Sequence, residues 1–499
     1  MSTLTATPEL TSTRGYRLRW VILALVLAAD VLDLIDSSIT TIAAPTIARD
    51  LNGGHGLIQW LSAAYALALG VLLVVGARLG DRFGQRRMFL IGVVGFSLAS
   101  LACGLAWDPA SIIVARLIQG SFGALLIPQG FGILTRIFPR EEMGKAFSAF
   151  GPVLGISAVG GPILAGFLIK ADLFGLGWRP MFLINIVIGV VTFVGAVLFL
   201  PKTPGSKSVI LDGLGSALLA GTMLGLLYGL IDGSNNGWTA IPFVSIGAGL
   251  VLFVLFCVRQ RLAANPLIEP SLLKNRGFTS GLILGIVFFA VVAGLLYVIS
   301  LFLQQGLHFS AFSASLALAP LAVGIIAASF ASFGLIQKLG RILTFVGLVL
   351  TLVGVAWTYV LVAADGLSVP TWAMIFPLFI IGLGMGSCFG SIYDVAIGDI
   401  QPSEAGSASG SLSAVQQLAN AIGAAAITTV YFKVVATSGA PSAVLVSLVI
   451  VGAVVLVSCG LVWLLPRKPQ PEDHPVCPRT ERLPLLERAH TFRTGANSE

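Results

Sequence analysis

The chain is 499 residues long, 56% hydrophobic and only 10% charged, with a formal net charge of +7 and a mean hydropathy of +0.96. A soluble globular chain carries roughly 25% charged residues, so this composition excludes a soluble enzyme or binding module and implies an integral membrane protein. The positive balance does not point to nucleic acid, because its bases sit in short loops between apolar runs and read as topology signals.

Fourteen apolar runs are long enough to be read as membrane-spanning helices, each of about 20 residues. They lie near 20–44, 57–79, 88–107, 111–135, 146–169, 181–200, 209–231, 240–258, 278–303, 314–336, 342–363, 372–393, 407–432 and 442–465. An even number puts both termini on one side. Outside the spans, only Arg49, Lys170, Arg179 and Lys433 fall on the side opposite the termini. That bias predicts a multi-pass cell-membrane protein with both termini in the cytoplasm. The loop after span 12 breaks the pattern, with Asp394, Asp399 and Glu404 and no base.

The first span carries Asp30, Asp33 and Asp36. A carboxylate inside a span is costly and marks a functional site by default. At 100° per residue the three spread over about 120° of one face, which should line a central cavity. Asp30 and Asp33, taken singly, also fit helix-packing hydrogen bonders. Span 4 holds Arg116, a rare intramembrane base that wants a partner unless it snorkels to the surface. Asp36 is nine residues before Pro45, about 13 Å from the outer end of its span, and Arg116 is seven after Pro109, about 10 Å in. The depths match, so Asp36 is expected to face Arg116, with Asp33 one turn deeper. Further cavity candidates are Asp30, Tyr65, Asn185, Tyr297, Gln304, Gln416 and Gln417.

Between spans 2 and 3 the chain reads Gly76-Ala77-Arg78-Leu79-Gly80-Asp81-Arg82-Phe83-Gly84-Gln85-Arg86-Arg87, a tight turn with one acid among several bases. Span 4 contains Arg116-Leu117-Ile118-Gln119-Gly120. Span 5 is dense in Gly and Pro: Gly151, Pro152, Gly155, Gly161, Pro162 and Gly166. Small residues at such spacings let helices touch, and Pro162 can kink its helix.

These motifs, in this order, resemble the signatures of the major facilitator superfamily. The second-loop motif is similar to G-x-x-x-D-R-x-G-R-R, with Ala77 and Gln85 as departures. Span 4 is similar to R-x-x-Q-G-x-G-A, with one extra residue before Gly123. Span 5 resembles the antiporter signature G-x-x-x-G-P-x-x-G-G, with Ala165 for one Gly. Leu32–Pro45 is similar to the first-span pattern of the fourteen-span drug:proton antiporter branch, with Ser38 and Thr41 as departures. Gln59-Trp60, Ala64-Tyr65 and Trp178-Arg179 through Asn185 add further matches.

The resemblance implies an all-α membrane protein with the major facilitator fold, two six-helix bundles plus two extra central helices. The expected division is a cytoplasmic segment 1–19, a first bundle 20–200, a linker with two added helices 201–276, a second bundle 277–466, and a disordered tail 467–499. It implies a latch on the cytoplasmic face made by Asp81, Arg82, Gly84 and Arg86. It also implies a proton-coupled antiporter, multidrug or antibiotic efflux by alternating access, working as a monomer on small-molecule substrates within membrane lipid. Asp36, Asp33 and Arg116 are the expected proton-coupling residues. No cofactor is expected, since the proton gradient supplies the energy. A narrow-substrate metabolite exporter is equally compatible, and an importer or uniporter of the same fold is the nearest rival. A membrane enzyme would need clustered His, Cys or acids, whereas the four histidines (His55, His308, His474, His490) are scattered and the five cysteines form no CxxC, so no metal site is expected.

Overall fold

Backbone polar groups within hydrocarbon must be satisfied inside their own segment, so a chain this apolar crosses a membrane as helices. The computed structural model describes residues 18–202, 205–206, 212–263, 266–397, 400 and 404–466, and every regular element among them is helical. The segment 1–17, the tail from 467 and Asp399 lie outside the described residues, as do the side chains of Pro162, Thr41, Pro45 and Gln59.

The first bundle contains α1 (Arg19–Asp50), α2 (Gly54–Phe83), α3 (Gln85–Gly104), α4 (Pro109–Ile137), α5 (Arg140–Ser148), α6 (Phe150–Ala171) and α7 (Pro180–Phe199). The inserted pair is α8 (Gly213–Asn236) and α9 (Ala240–Leu262). The second bundle contains α10 (Pro270–Lys274), α11 (Arg276–Leu301), α12 (Ala311–Ala317), α13 (Ala319–Leu339), α14 (Arg341–Asp365), α15 (Ile375–Ile397) and α16 (Ala405–Leu461).

Eleven stretches are long and apolar enough to cross a membrane. The last, Ser407–Leu464, breaks at Gly439, whose φ of 80° suits glycine, with Pro441 close behind. It therefore makes two passes. With α1 and α6, of 32 and 22 residues, the passes come to fourteen. Three details differ from the sequence expectation. α1 runs on to Asp50, the short α5 precedes α6, and Asp394 lies inside α15 and is buried rather than in a loop.

Glycines set the closest helix approaches. In the inserted pair Gly225 lies against Gly249, and a Cβ there would fall 2.8 Å from the Gly249 Cα. The same hairpin is clipped at its other end, where Arg259 reaches Asp212 at 3.0 Å. Burial pushes the Asp212 carboxyl up, but the Arg259 bonds and the amides of Gly215 and Leu214 outweigh it and hold the group below its ordinary range.

The halves meet along α6 and α13 and across the face that carries the basic loops. One apolar core spans both halves, and its first-bundle members are confined to that face, from Leu23 and Val26 to Phe147 and Phe150. Phe131 stacks on Phe150 at 4.9 Å and on Tyr393 of the second bundle at 5.0 Å. Phe389 stacks on Tyr393 at 5.0 Å. The apolar cluster on the opposite face, from Ile39 to Phe182, belongs to the first bundle alone. The molecule is thus sealed on its basic side.

Candidate functional site

The register of α4 is set at its start. Asp108 caps the helix, accepting from the Ser111 amide at 2.7 Å, while its own amide donates to the Ser111 hydroxyl oxygen at 3.2 Å. The Ser111 hydroxyl and amide hold the Asp108 carboxyl below its ordinary range. Pro109 follows at the first helical position, where its missing N–H costs nothing. Arg116 then lies two turns inside.

There it forms an ion pair with Asp36 of α1, and both side chains are only 1% exposed. Taking two charges out of water is expensive unless the remaining polar atoms are bonded, and here most are. Arg116 Nη1 also donates to Gln119 Oε1 at 2.7 Å, and its Nε donates to the Leu61 carbonyl at 2.9 Å. Asp36 Oδ1 accepts from Gln119 Nε2 at 2.9 Å and from Asn185 Nδ2 of α7 at 2.6 Å. Gln119 Nε2 further donates to Ser100 Oγ of α3 at 2.7 Å. Five helices, α1, α2, α3, α4 and α7, thus meet in the network around this pair.

Tyr65 of α2 connects this group to the second acid. Its ring lies under the Arg116 guanidinium, 4.5 Å from carbon to centroid. Its hydroxyl donates to Asp33 Oδ1. Asp30 stands a further turn toward the basic face. Its Oδ2 is buried without a hydrogen-bond partner among the described residues, and it lies within electrostatic reach of Tyr393. The Tyr393 hydroxyl donates to Gln416 Oε1 at 2.5 Å. Asp30 and Gln416 are each eleven residues into their helices, about 16 Å at 1.5 Å per residue, which puts them at similar depth.

Not every candidate joins. Gln417 packs at Gly70 of α2, with its Cβ 3.7 Å from where a Cβ on that glycine would be. Tyr297 is exposed. Gln304 is exposed in the π-helical turn after α11 and donates to Ser300 Oγ at 2.8 Å. Neither touches the network, because the face of α11 packed inward is the one with Phe288, Leu295 and Val298.

On the basic face Asp81 is buried and has Arg78, Arg136 and Glu269 as charged neighbours. Gly84, at φ 97°, makes the turn between α2 and α3. The basic partner differs from expectation. Arg82 is exposed over Phe83, and Arg86 donates to the Val197 carbonyl at 2.6 Å. Arg78 is the buried base, 6% exposed. It donates to the carbonyls of Leu267 at 2.5 Å and Pro266 at 2.9 Å and pairs with Glu269 at 3.1 Å. The first bundle therefore grips the segment that leads from the inserted pair into the second bundle. Ser271 of α10 in turn donates to Glu404 at 2.5 Å, just before α16.

The glycines of α6 face two ways. Gly151 lies against Ser329, Gly155 against the Ala322 carbonyl, and Gly166 against Phe312, all in α12 and α13 of the second bundle. Gly161 lies against Ser38, two residues beyond Asp36. Pro152 sits in the first turn of α6, where a proline is tolerated. α6 continues past Pro162 to Ala171.

Gln119, Ser100 and Arg78 were not singled out from sequence. Gln119 had a signal, since it is one helical turn from Arg116 on the same face. Arg78 had none, because its partners lie 188 and more residues away.

Comparison with known proteins gives three kinds of match. The family profile described as Major Facilitator Superfamily matches residues 26–424. The chain is 41% identical to a probable actinorhodin transporter of Streptomyces coelicolor over 432 residues, 86% of this chain and 75% of that protein. It is 30% identical to a tetracenomycin C resistance and export protein of Streptomyces glaucescens, over 82% of this chain and 75% of that protein. Among solved structures, the proton:xylose symporter XylE superposes with a TM-score of 0.65 at 14% identity, covering 90% of this chain and 96% of that one.

Proposed function

The chain belongs to the major facilitator superfamily, and on that premise we propose that it is a proton-coupled antiporter that exports hydrophobic small molecules. It is a multi-pass membrane transporter and not an enzyme. The observation that carries the proton-coupled reading is the buried Asp36–Arg116 pair with its Gln119 and Asn185 bonds. The names of the relatives, a transporter and a resistance and export protein for antibiotics, support efflux as the direction. Each name carries a single antibiotic, which favours a narrow cargo over a broad one.

In the mechanism, the conformation closed on the cytoplasmic side keeps Arg116 on the Asp36 carboxylate. While the site still faces outside, moving α1 away from α4 separates them and the carboxyl takes up a proton from that side in place of the guanidinium; once the cytoplasmic side opens, the proton leaves inward as cargo binds. α6 ties this exchange to the rest of the molecule, because Gly161 rests on Ser38 of α1 while Gly151 and Gly155 rest on α13. Cargo enters from the inner side when the Phe131–Tyr393–Phe389 stack parts. Asp30 and Asp33 give the cavity wall carboxyl groups that suit hydrogen-bonding cargo. One proton driven by about 100 mV supplies roughly 2.3 kcal/mol, and one unit of pH difference adds about 1.4 kcal/mol. Together they support a concentration ratio of several hundredfold per proton.

The test is Asp36→Asn in reconstituted vesicles with an imposed proton gradient. The expected outcome is loss of gradient-driven efflux with downhill exchange of cargo retained. Intact gradient-driven efflux in the variant would remove the assignment.

A further inference from the structure

A pocket opens toward the face opposite the basic loops, between α2 of the first bundle and α8 of the inserted pair. It encloses about 20 Å³, room for one water-sized group, and is open at its mouth. Trp60 forms one wall and Tyr228 the other, with ring centroids 6.1 Å apart and planes tilted by 36°. Asp232 follows Tyr228 by one helical turn and lines the same pocket. Asn236, a further turn on, donates to Asp232 Oδ1 at 2.7 Å and fixes the carboxylate. Leu67 and Ile231 line the remainder with hydrocarbon.

Trp and Tyr collect at membrane boundaries as interface anchors, which accounts for the two rings. It does not account for a carboxylate that lines the same hollow and is held by an amide. Trp60 is six residues from the start of α2, about 9 Å, and Asp232 is four from the end of α8, about 6 Å. The pocket therefore sits at the level where lipid headgroups give way to hydrocarbon. Two π faces and a negative charge in one hollow match an ammonium group, which is attracted by ring quadrupoles as well as by the acid.

We propose that this pocket binds the ammonium group of an organic cation, separately from the Asp36–Arg116 network. Trp60 and Tyr228 supply the π faces and Asp232 the counter-charge. The pocket takes the ammonium head, and the apolar body of the ligand stays in the bilayer beside α8. As a station for outgoing cargo it rests on the exporter reading above; as a binding site it does not. The same chemistry is carried by a free lipophilic cation and by a lipid headgroup.

The test is equilibrium binding, which needs no proton gradient and so succeeds or fails independently of Asp36. Purified full-length protein in phosphatidylglycerol nanodiscs is titrated calorimetrically with benzylammonium and with its uncharged isostere ethylbenzene. The wild type is expected to bind the cation and not the isostere. Asp232→Asn and Tyr228→Leu are each expected to weaken binding about tenfold, and Asp232→Glu to restore most of it. Equal binding by wild type and Asp232→Asn, or equal binding of the two ligands, overturns the proposal. If Asp232→Asn does not fold, Tyr228→Leu carries the same comparison. Repeating the titration with phosphatidylethanolamine present separates the sources. A several-fold weaker apparent affinity identifies the lipid headgroup as an occupant, and an unchanged affinity assigns the pocket to free cations.

Discussion

In the first bundle, α1, α3, α4 and α7 surround an arginine and a carboxylate with amides and a hydroxyl. In the second bundle, α15 and α16 offer a tyrosine bonded to a glutamine, and no buried cation occurs there among the described residues. The two regions solve the same problem, polar groups inside a membrane protein, at different cost. A buried ion pair is stable only while both partners stay together, which in the proposed mechanism lets it register the arrival of a proton. A neutral hydrogen bond is worth about 1 kcal/mol net and can be broken and remade at little cost when helices move. On the proposed reading, the contrast divides the coupling chemistry and the gate between the bundles. Tyr393 sits at the boundary, bonded to Gln416 and stacked on Phe131 of the other half.

The sharpest way to break this division is Arg116→Ala. It leaves the Asp36 carboxylate buried and uncompensated, and about 3–5 kcal/mol of stability should be lost, together with gradient-driven transport. Denaturant unfolding in micelles and vesicle efflux measure the two losses. The double variant Asp36→Asn with Arg116→Gln should recover much of the stability and none of the coupling. Coupled transport by Arg116→Ala would move the switch elsewhere.

A smaller effect is expected at the basic face. Arg78→Ala removes charge-assisted bonds to the 266–269 segment, each worth about 1.5–3 kcal/mol, and should speed hydrogen exchange at residues 266–275. Arg82→Ala should leave that exchange unchanged, since Arg82 is exposed. The reverse ranking would restore Arg82 as the latch.

The smallest change belongs to the second bundle. Tyr393→Phe deletes the bond to Gln416 and keeps the ring stack. Efflux should slow by a few-fold, and the number of protons moved per cargo, read from reversal potentials in vesicles, should stay the same. A changed ratio would show that the second bundle takes part in coupling.

Much of the plan was legible from residue patterns. The apolar runs announced fourteen passes because hydrocarbon admits few alternatives to a continuous helix. Asp36 and Arg116 stood out because charges inside such runs are rare, and their depths could be counted from Pro45 and Pro109 at a fixed rise per residue. α5 was missed because a short helix lying beyond the apolar run has no long hydrophobic signal. Tyr297 and Gln304 are exposed and stand apart from the Asp36 network, a separation that residue type and place in the span do not reveal.

Composition and spacing thus settle which segments cross the membrane and which charged groups are costly there, since both follow from local transfer energies. They do not settle which groups meet. Asn185 and Asp36 are 149 residues apart, and Arg78 and Glu269 are 191 apart. Their pairing depends on how whole helices rotate and cross, and that is decided by packing at positions such as Gly155 on Ala322 and Gly161 on Ser38. Asp30 shows the difference most plainly. In sequence it is one of three similar acids, and in the folded chain it is the one that comes within electrostatic reach of Tyr393 of the other half, because the closure of the two bundles brings that ring toward it.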